Sequence, residues 1–202
     1  GGTGHVEVAG SWTAAQYSRG GCFASDKDLL LSGTAVLDMW NCRTELWIAH
    51  GGALFAKLNM TENSRVKLQN SWTSRGRSLG GCFFVHYYLW MSGSAAVDVF
   101  NCTTKEEVAH GGALSTKYLN MTDSAKADTT GTGSRGGCLH TLNGFFMAGS
   151  ATLRVTRCST QADQAGGGCT AAIGPFVARD SSSVVVALCE TAGAGSSGGG
   201  LR

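Results

Sequence analysis

One pattern recurs three times in this chain: Gly-Gly-Cys, an apolar strand-like stretch, and a second Cys twenty positions after the first. The pairs are Cys22/Cys42, Cys82/Cys102 and Cys138/Cys158, and a fourth, Cys169/Cys189, keeps the same spacing. Between them stand diverged copies that open Gly51-Gly52-Ala53 and Gly111-Gly112-Ala113 and carry no Cys. A unit of roughly 25–32 residues running along the whole chain indicates a repeat architecture, because such a unit buries its apolar face only against its neighbours. The double glycines put unit starts near Gly20, Gly51, Gly80, Gly111, Gly136 and Gly167, with a seventh at Gly199 and an incomplete one at Gly1.

Within each unit the middle aligns without gaps. Leu31 to Met39 sits over Met60 to Leu68, then Met91 to Val99, Met121 to Thr129, Met147 to Val155 and Ala178 to Val186. Apolar residues alternate with period two on both sides of a Ser-Gly or Thr-Asp turn, the signature of strand–turn–strand. One apolar column is Leu29, Leu58, Leu89, Leu119, Phe145 and Phe176; the next is Leu37, Val66, Val97, Ala127, Leu153 and Val184. Both should point inward, while Asp38, Lys67, Asp98, Asp128 and Arg154 form an outward row of partly alternating charge. In-register stacking of such units gives a parallel β-solenoid with strands about 4.8 Å apart between rungs. An antiparallel sandwich would instead reverse register between neighbours and turn every 8–12 residues or so, against an observed period near thirty. The fold expected is all-β: a parallel β-helix of about six to seven rungs, one domain over residues 1–202.

The cysteines discriminate among their own pairings. Both are present in the first, third, fifth and sixth units, and both are missing from the second, where Ala53 and Ser71 stand, and from the fourth. Loss in pairs is what bonding within a unit predicts. The stretch from the double glycine to the first strand is also constant in Cys-bearing units and shorter in the others, as the fixed geometry of a bridge would require. The expected bridges are Cys22–Cys42, Cys82–Cys102, Cys138–Cys158 and Cys169–Cys189; pairing between rungs, or a ladder of free thiols in the core, is the alternative. Even numbers of Cys at fixed spacing point to an oxidising compartment, so secretion or the cell surface.

Val99-Phe100-Asn101-Cys102-Thr103, followed by Ala109-His110-Gly111-Gly112-Ala113-Leu114, resembles the repeats of polymorphic outer membrane proteins, within the pectin-lyase-like β-helix class. The Gly-Gly-Ala-Leu element matches at 51–54 and 111–114, whereas the usual Phe-x-x-Asn element is replaced by Trp40-Asn41 and Phe100-Asn101. The resemblance implies a right-handed β-helix and a surface or adhesive role.

Composition removes several function classes. Net charge is +2 with 15% charged residues, so there is no electrostatic footprint for nucleic acid. The apolar run Val184 to Leu188 is far too short to span a bilayer. No CxxC is present for a zinc knuckle or redox dithiol, and no cofactor or metal is expected. No catalytic residue is assigned: the aligned Asp38, Asp98 and Asp128, with Lys67 between the first two, read as ordinary cross-strand charge alternation.

Three sequons remain, at Asn59, Asn101 and Asn120. Asn59 and Asn120 share an outward column and are the expected glycan acceptors, while Asn101 aligns with Asn41 and Asn70 beside the cysteines, where a buried or half-buried amide ladder is expected. The same outward column holds Leu30, Trp90, Phe146 and Val177 in the other units, with Phe84, Tyr87 and Tyr88 nearby. Leu30, Trp90 and Phe146 are therefore the candidate partner-binding residues, for sugar rings or for a second chain. His50 and His110 both precede double glycines, two rungs apart, a spacing of about 9.6 Å that is too long for one shared metal; each is expected to cap its turn. The chain opens on Gly1-Gly2 and stops at Gly199-Gly200-Leu201-Arg202, both at the repeat's own starting signal. That pattern is expected of a segment of a longer solenoid or of a protomer stacking end to end. The expectation is an extracellular structural or adhesive module that contacts protein, by self-association or with neighbouring chains, or surface carbohydrate; a carbohydrate-binding or carbohydrate-active β-helix is the alternative.

Overall fold

The computed structural model describes residues 3–14, 17–45, 48–74, 79–104, 110–133, 137–160 and 168–192. The unit starts expected at Gly1, Gly136, Gly167 and Gly199 lie outside them. Every regular element among the described residues is a strand, and the strands pair parallel. The protein is a parallel β-solenoid. One sheet stacks His5–Ala9, Val36–Trp40, Arg65–Gln69, Ala96–Thr104, Lys126–Thr132, Thr152–Thr160 and Ser183–Thr191. A second stacks Phe23–Leu31, Leu54–Met60, Phe83–Met91, Leu114–Met121 and Leu139–Met147, then the short Thr170–Ala172 and Phe176–Ala178. A third run of short strands, Trp12–Ala14, Arg43–Glu45 and Trp72–Ser74, leads back toward the next turn of the coil.

Register follows from the apolar columns. Leu29, Leu58, Leu89, Leu119, Phe145 and Phe176 pair in sequence across the second sheet. Leu37, Val66, Val97, Ala127, Leu153 and Val184 do so across the first. Both columns except Phe176 join one core with the methionines Met39, Met60, Met91, Met121 and Met147. Phe176, expected inside, is 40% exposed and only stacks on Phe145, because its short strand pairs on one side alone. A shift of one residue would turn either column to solvent, so burial holds the register.

Among the described residues, three kinds of corner use a residue in the left-handed region. Gly33, Glu62, Gly93, Asp123, Gly149 and Asp180 make the first, with φ between 58° and 70°. Where Asp occupies this place its carboxylate accepts from the backbone N–H of the glycine one rung earlier, Asp123 from Gly93 and Asp180 from Gly149, both at 3.0 Å. Asn41, Asn70, Asn101, Arg157 and Leu188 make the second, and Gly20, Gly51, Gly80 and Gly111 the third. The second glycine of each pair is needed for a different reason: a Cβ on Gly52, Gly81 or Gly112 would lie 2.0 to 2.2 Å from the carbonyl oxygen of the matching glycine on the next rung.

All four cysteine pairs are bridged within a rung, Cys22–Cys42, Cys82–Cys102, Cys138–Cys158 and Cys169–Cys189, with Cα atoms 5.2 to 5.5 Å apart. Gly131 stands in register with Cys102 and Cys158 in the unit that lacks a bridge. The extra residues of the Cys-bearing units appear as bulges: Phe83–Met91 slips register against both neighbours after Val85.

The amide ladder is present but not where the sequence put it. Asn101 Nδ2 donates to Asn70 Oδ1 at 2.8 Å, yet Asn41, Asn70 and Asn101 are all exposed. Their φ values of 50° to 55° swing the side chains off the strand direction and out of the wall, so alternation counted along the strand fails at this corner.

Candidate functional site

The outward column of the second sheet runs Leu30, Asn59, Trp90, Asn120, Phe146, Val177, each paired in register with the next. Leu30 and Trp90 are exposed, at 63% and 49%, while Asn59, Asn120 and Phe146 are half-buried. A neighbouring column on the same face pairs Tyr88 with Tyr118 and Tyr118 with Gly144. Tyr88 and Trp90 tilt against each other with ring centroids 5.2 Å apart, and Tyr118 is exposed. Because Gly144 adds no side chain where the column would continue, a groove of about 430 Å³ opens there. Trp90, Tyr118 and Phe146 wall it, and Asn120 and Asn143 reach it as amides. The Oδ1 of Asn120 is shielded from solvent and has no hydrogen-bond partner among the described residues.

Phe84 does not belong to this surface. It is buried at 5% and stacks on His50 with centroids 4.7 Å apart, while Phe55 packs on it at 5.5 Å. His50 is accordingly a stacking residue rather than a turn cap: it is the backbone carbonyl of His50, not the ring, that accepts from Gly20 N–H, at 2.9 Å. Burial first, then Arg19 and His86, lowers the His50 imidazole to about 4. Leu79 bridges between His50 and His110, which confirms their two-rung separation. His110 contacts His140 at 4.4 Å between ring centroids, a pair that no sequence spacing announced.

On the first sheet the charge row is in register, Asp38 with Lys67, Lys67 with Asp98, Asp98 with Asp128 and Asp128 with Arg154. Asp98 is buried despite its outward place, and it is Arg65, whose Nε and Nη2 both donate to Oδ2, that pairs with it. Burial, then the adjacent Asp98 carboxylate, pushes the Asp128 carboxyl above its ordinary value against the pull of Arg154, Lys126 and Arg65. Asp98 is locked to Arg65, while Asp128 lines a cleft of about 720 Å³ together with Asn101, Arg154 and Arg157.

Among the described residues no three His, Cys, Asp or Glu side chains converge as metal ligands. Nor, among the described residues, is any helix long and apolar enough to cross a membrane. Compared with protein-family models, curated proteins and solved structures, the chain gives no match.

Proposed function

We propose that the protein is an extracellular adhesive module: a disulfide-stapled solenoid that presents the outer face of its second sheet to a partner. The observation that carries this reading is the row of exposed aromatics, Trp90 and Tyr118 above all, beside an apolar groove. Large aromatic side chains exposed side by side lose contact area to water unless something covers them. The four bridges support an oxidising location. The Gly-Gly-Ala-Leu elements at 51–54 and 111–114 support kinship with polymorphic outer membrane repeats as part of the same proposal.

A second reading, carbohydrate binding, is favoured by one feature, the amides of Asn120 and Asn143 set among aromatic rings. Rings stack on sugar faces and amides exchange hydrogen bonds with hydroxyls. The test is a Trp90→Ala/Tyr118→Ala double variant in a cell-adhesion or glycan-array assay. The expected result is loss of binding with the β-sheet circular dichroism unchanged; retained binding removes this face from the function.

Of the two outward sequons, Asn59 is the proposed acceptor for an N-linked glycan in a eukaryotic secretory host, and the groove reading requires Asn120 to stay unoccupied. A glycan on Asn120 would occupy the groove itself. Intact-peptide mass spectrometry of material from the native source separates the cases: an occupied Asn120 overturns the open-groove reading.

A further inference from the structure

Three cations gather beside the aromatic groove on the bulge of the strand Phe83–Met91. After Val85 this strand carries His86 and Tyr87 against the single Lys117 of one neighbour, and His86 to Tyr88 against the single Lys57 of the other. The two ammonium groups lie 4.4 Å (Lys117) and 4.9 Å (Lys57) from the centre of the Tyr87 ring. His86 meets that ring edge-on at 4.4 Å and packs on Phe55 at 5.7 Å, and Arg19 lies over the same Phe55 at 4.9 Å. Arg19, Lys57 and Lys117 thus surround one imidazole. Its proton affinity reports the field: burial lowers it, then Lys117 and Arg19, with Lys57 adding and Asp26 opposing. The nearby carboxylates are Asp26, bonded to Arg19 at 2.8 Å, and Asp28, in register with Lys57. Both are on the strand Phe23–Leu31, three strands from Lys117.

Packing on a ring holds an ammonium group in place while leaving its N–H donors available to an anion. Tyr87 and Tyr118 are both exposed and Tyr88 lines the groove; Tyr87 adjoins Tyr88 and Lys117 adjoins Tyr118 along their strands, which sets the cations next to the edge of the groove. The groove volume, about 430 Å³, falls within the range of sites for compact ligands.

We propose that this face binds an acidic polysaccharide, sulfated or carboxylated, with sugar rings on Trp90 and Tyr118 and anionic groups on Lys57 and Lys117. The proposal rests on the carbohydrate reading above and adds the charge of the ligand.

The experiment is titration calorimetry of the whole chain against heparin (sulfated), hyaluronan (carboxylated only) and dextran (neutral). Heparin is expected to bind, and raising NaCl from about 50 to about 300 mM should weaken it, as screening requires. Lys57→Ala/Lys117→Ala should weaken binding about tenfold, Lys57→Arg/Lys117→Arg should restore it, and Lys67→Ala/Arg154→Ala on the opposite sheet should leave it unchanged. Binding of both acidic polymers shows that a carboxylate suffices, and heparin alone shows that sulfate is required; either supports the proposal. Dextran bound as tightly as heparin, or lysine variants without effect, overturns the charge assignment and leaves the stacking reading standing. No binding to any of the three overturns both. All the substituted side chains lie on outward positions, and unchanged circular dichroism with four intact bridges verifies the fold of each variant.

Discussion

At the scale of single residues, the sharpest constraint is the second glycine of each pair. A Cβ on Gly81 would sit 2.0 Å from the carbonyl oxygen of Gly112 and 2.5 Å from that of Thr103, both backbone atoms that cannot move without breaking the ladder. Gly81→Ala is expected to cost more than about 4 kcal/mol, the exceptional end of single substitutions, read as loss of the folded state in urea denaturation; a change below about 1 kcal/mol would mean the rungs are not packed this closely. His50 offers a different measurement. Its imidazole titrates near 4 in the fold against 6.5 outside it, chiefly because burial disfavours the charged form. Between these values the unfolded chain binds the proton and the folded one does not, so stability falls as pH drops from 6.5 and levels off below 4. The loss across that window is on the order of 3 kcal/mol. His50→Phe, which preserves the stack on Phe84, should flatten this slope in denaturation midpoints taken across the same pH range; an unchanged slope would assign the acid sensitivity elsewhere.

At the scale of the element, a rung is held by its corners and, in four cases, by a staple. Each bridge closes a loop of twenty residues, worth about 3 kcal/mol in the chain-entropy account. Cys82→Ala/Cys102→Ala should lower stability by about that amount and still fold, because the neighbouring rungs form without a bridge, one carrying Ala53 and Ser71 at the cysteine places and the other Ala113 beside Gly131. Failure to fold would show that the bridge directs the coil rather than securing it. Arg65 and Asp98 tie adjacent strands in the same way but weakly, since the guanidinium is half exposed. Arg65→Ala leaves the buried Asp98 beside Asp128 with its two donors removed and is expected to cost about 1–2 kcal/mol, more at pH 7 than at pH 4; equal costs at both pH values would count against a charge effect.

At the scale of the whole molecule, burial is graded along the coil. Leu54–Met60 and Leu114–Met121 are buried at most positions, whereas His5–Ala9 and Ser183–Thr191 have no buried position, only exposed and half-buried ones. Each rung contacts chiefly its neighbours, so local opening should begin at strands paired on one side only. Hydrogen exchange followed by mass spectrometry is expected to show the slowest amides in Leu54–Met60, Phe83–Met91 and Leu114–Met121; uniform protection would mean the coil unfolds as one unit.

Period and spacing were enough to reveal the solenoid, since a side chain's inward or outward place depends only on counting by two along an extended strand. The core columns, the Asn59–Trp90–Asn120 surface row and a within-rung pattern of cysteines could all be read that way. Counting stops working where the backbone leaves the strand. At the Asn101 corner a φ of 50° turned an expected half-buried ladder outward. Past Val85 a bulge set Tyr87 between Lys57 and Lys117, which no alignment of units had brought together. Arg65 reached Asp98 diagonally, past the Lys67 that stands opposite it. The repeat therefore determined which residues share a column. Only the tertiary structure decided which columns touch, because corners and bulges place side chains by three-dimensional distance, and sequence spacing carries no record of that.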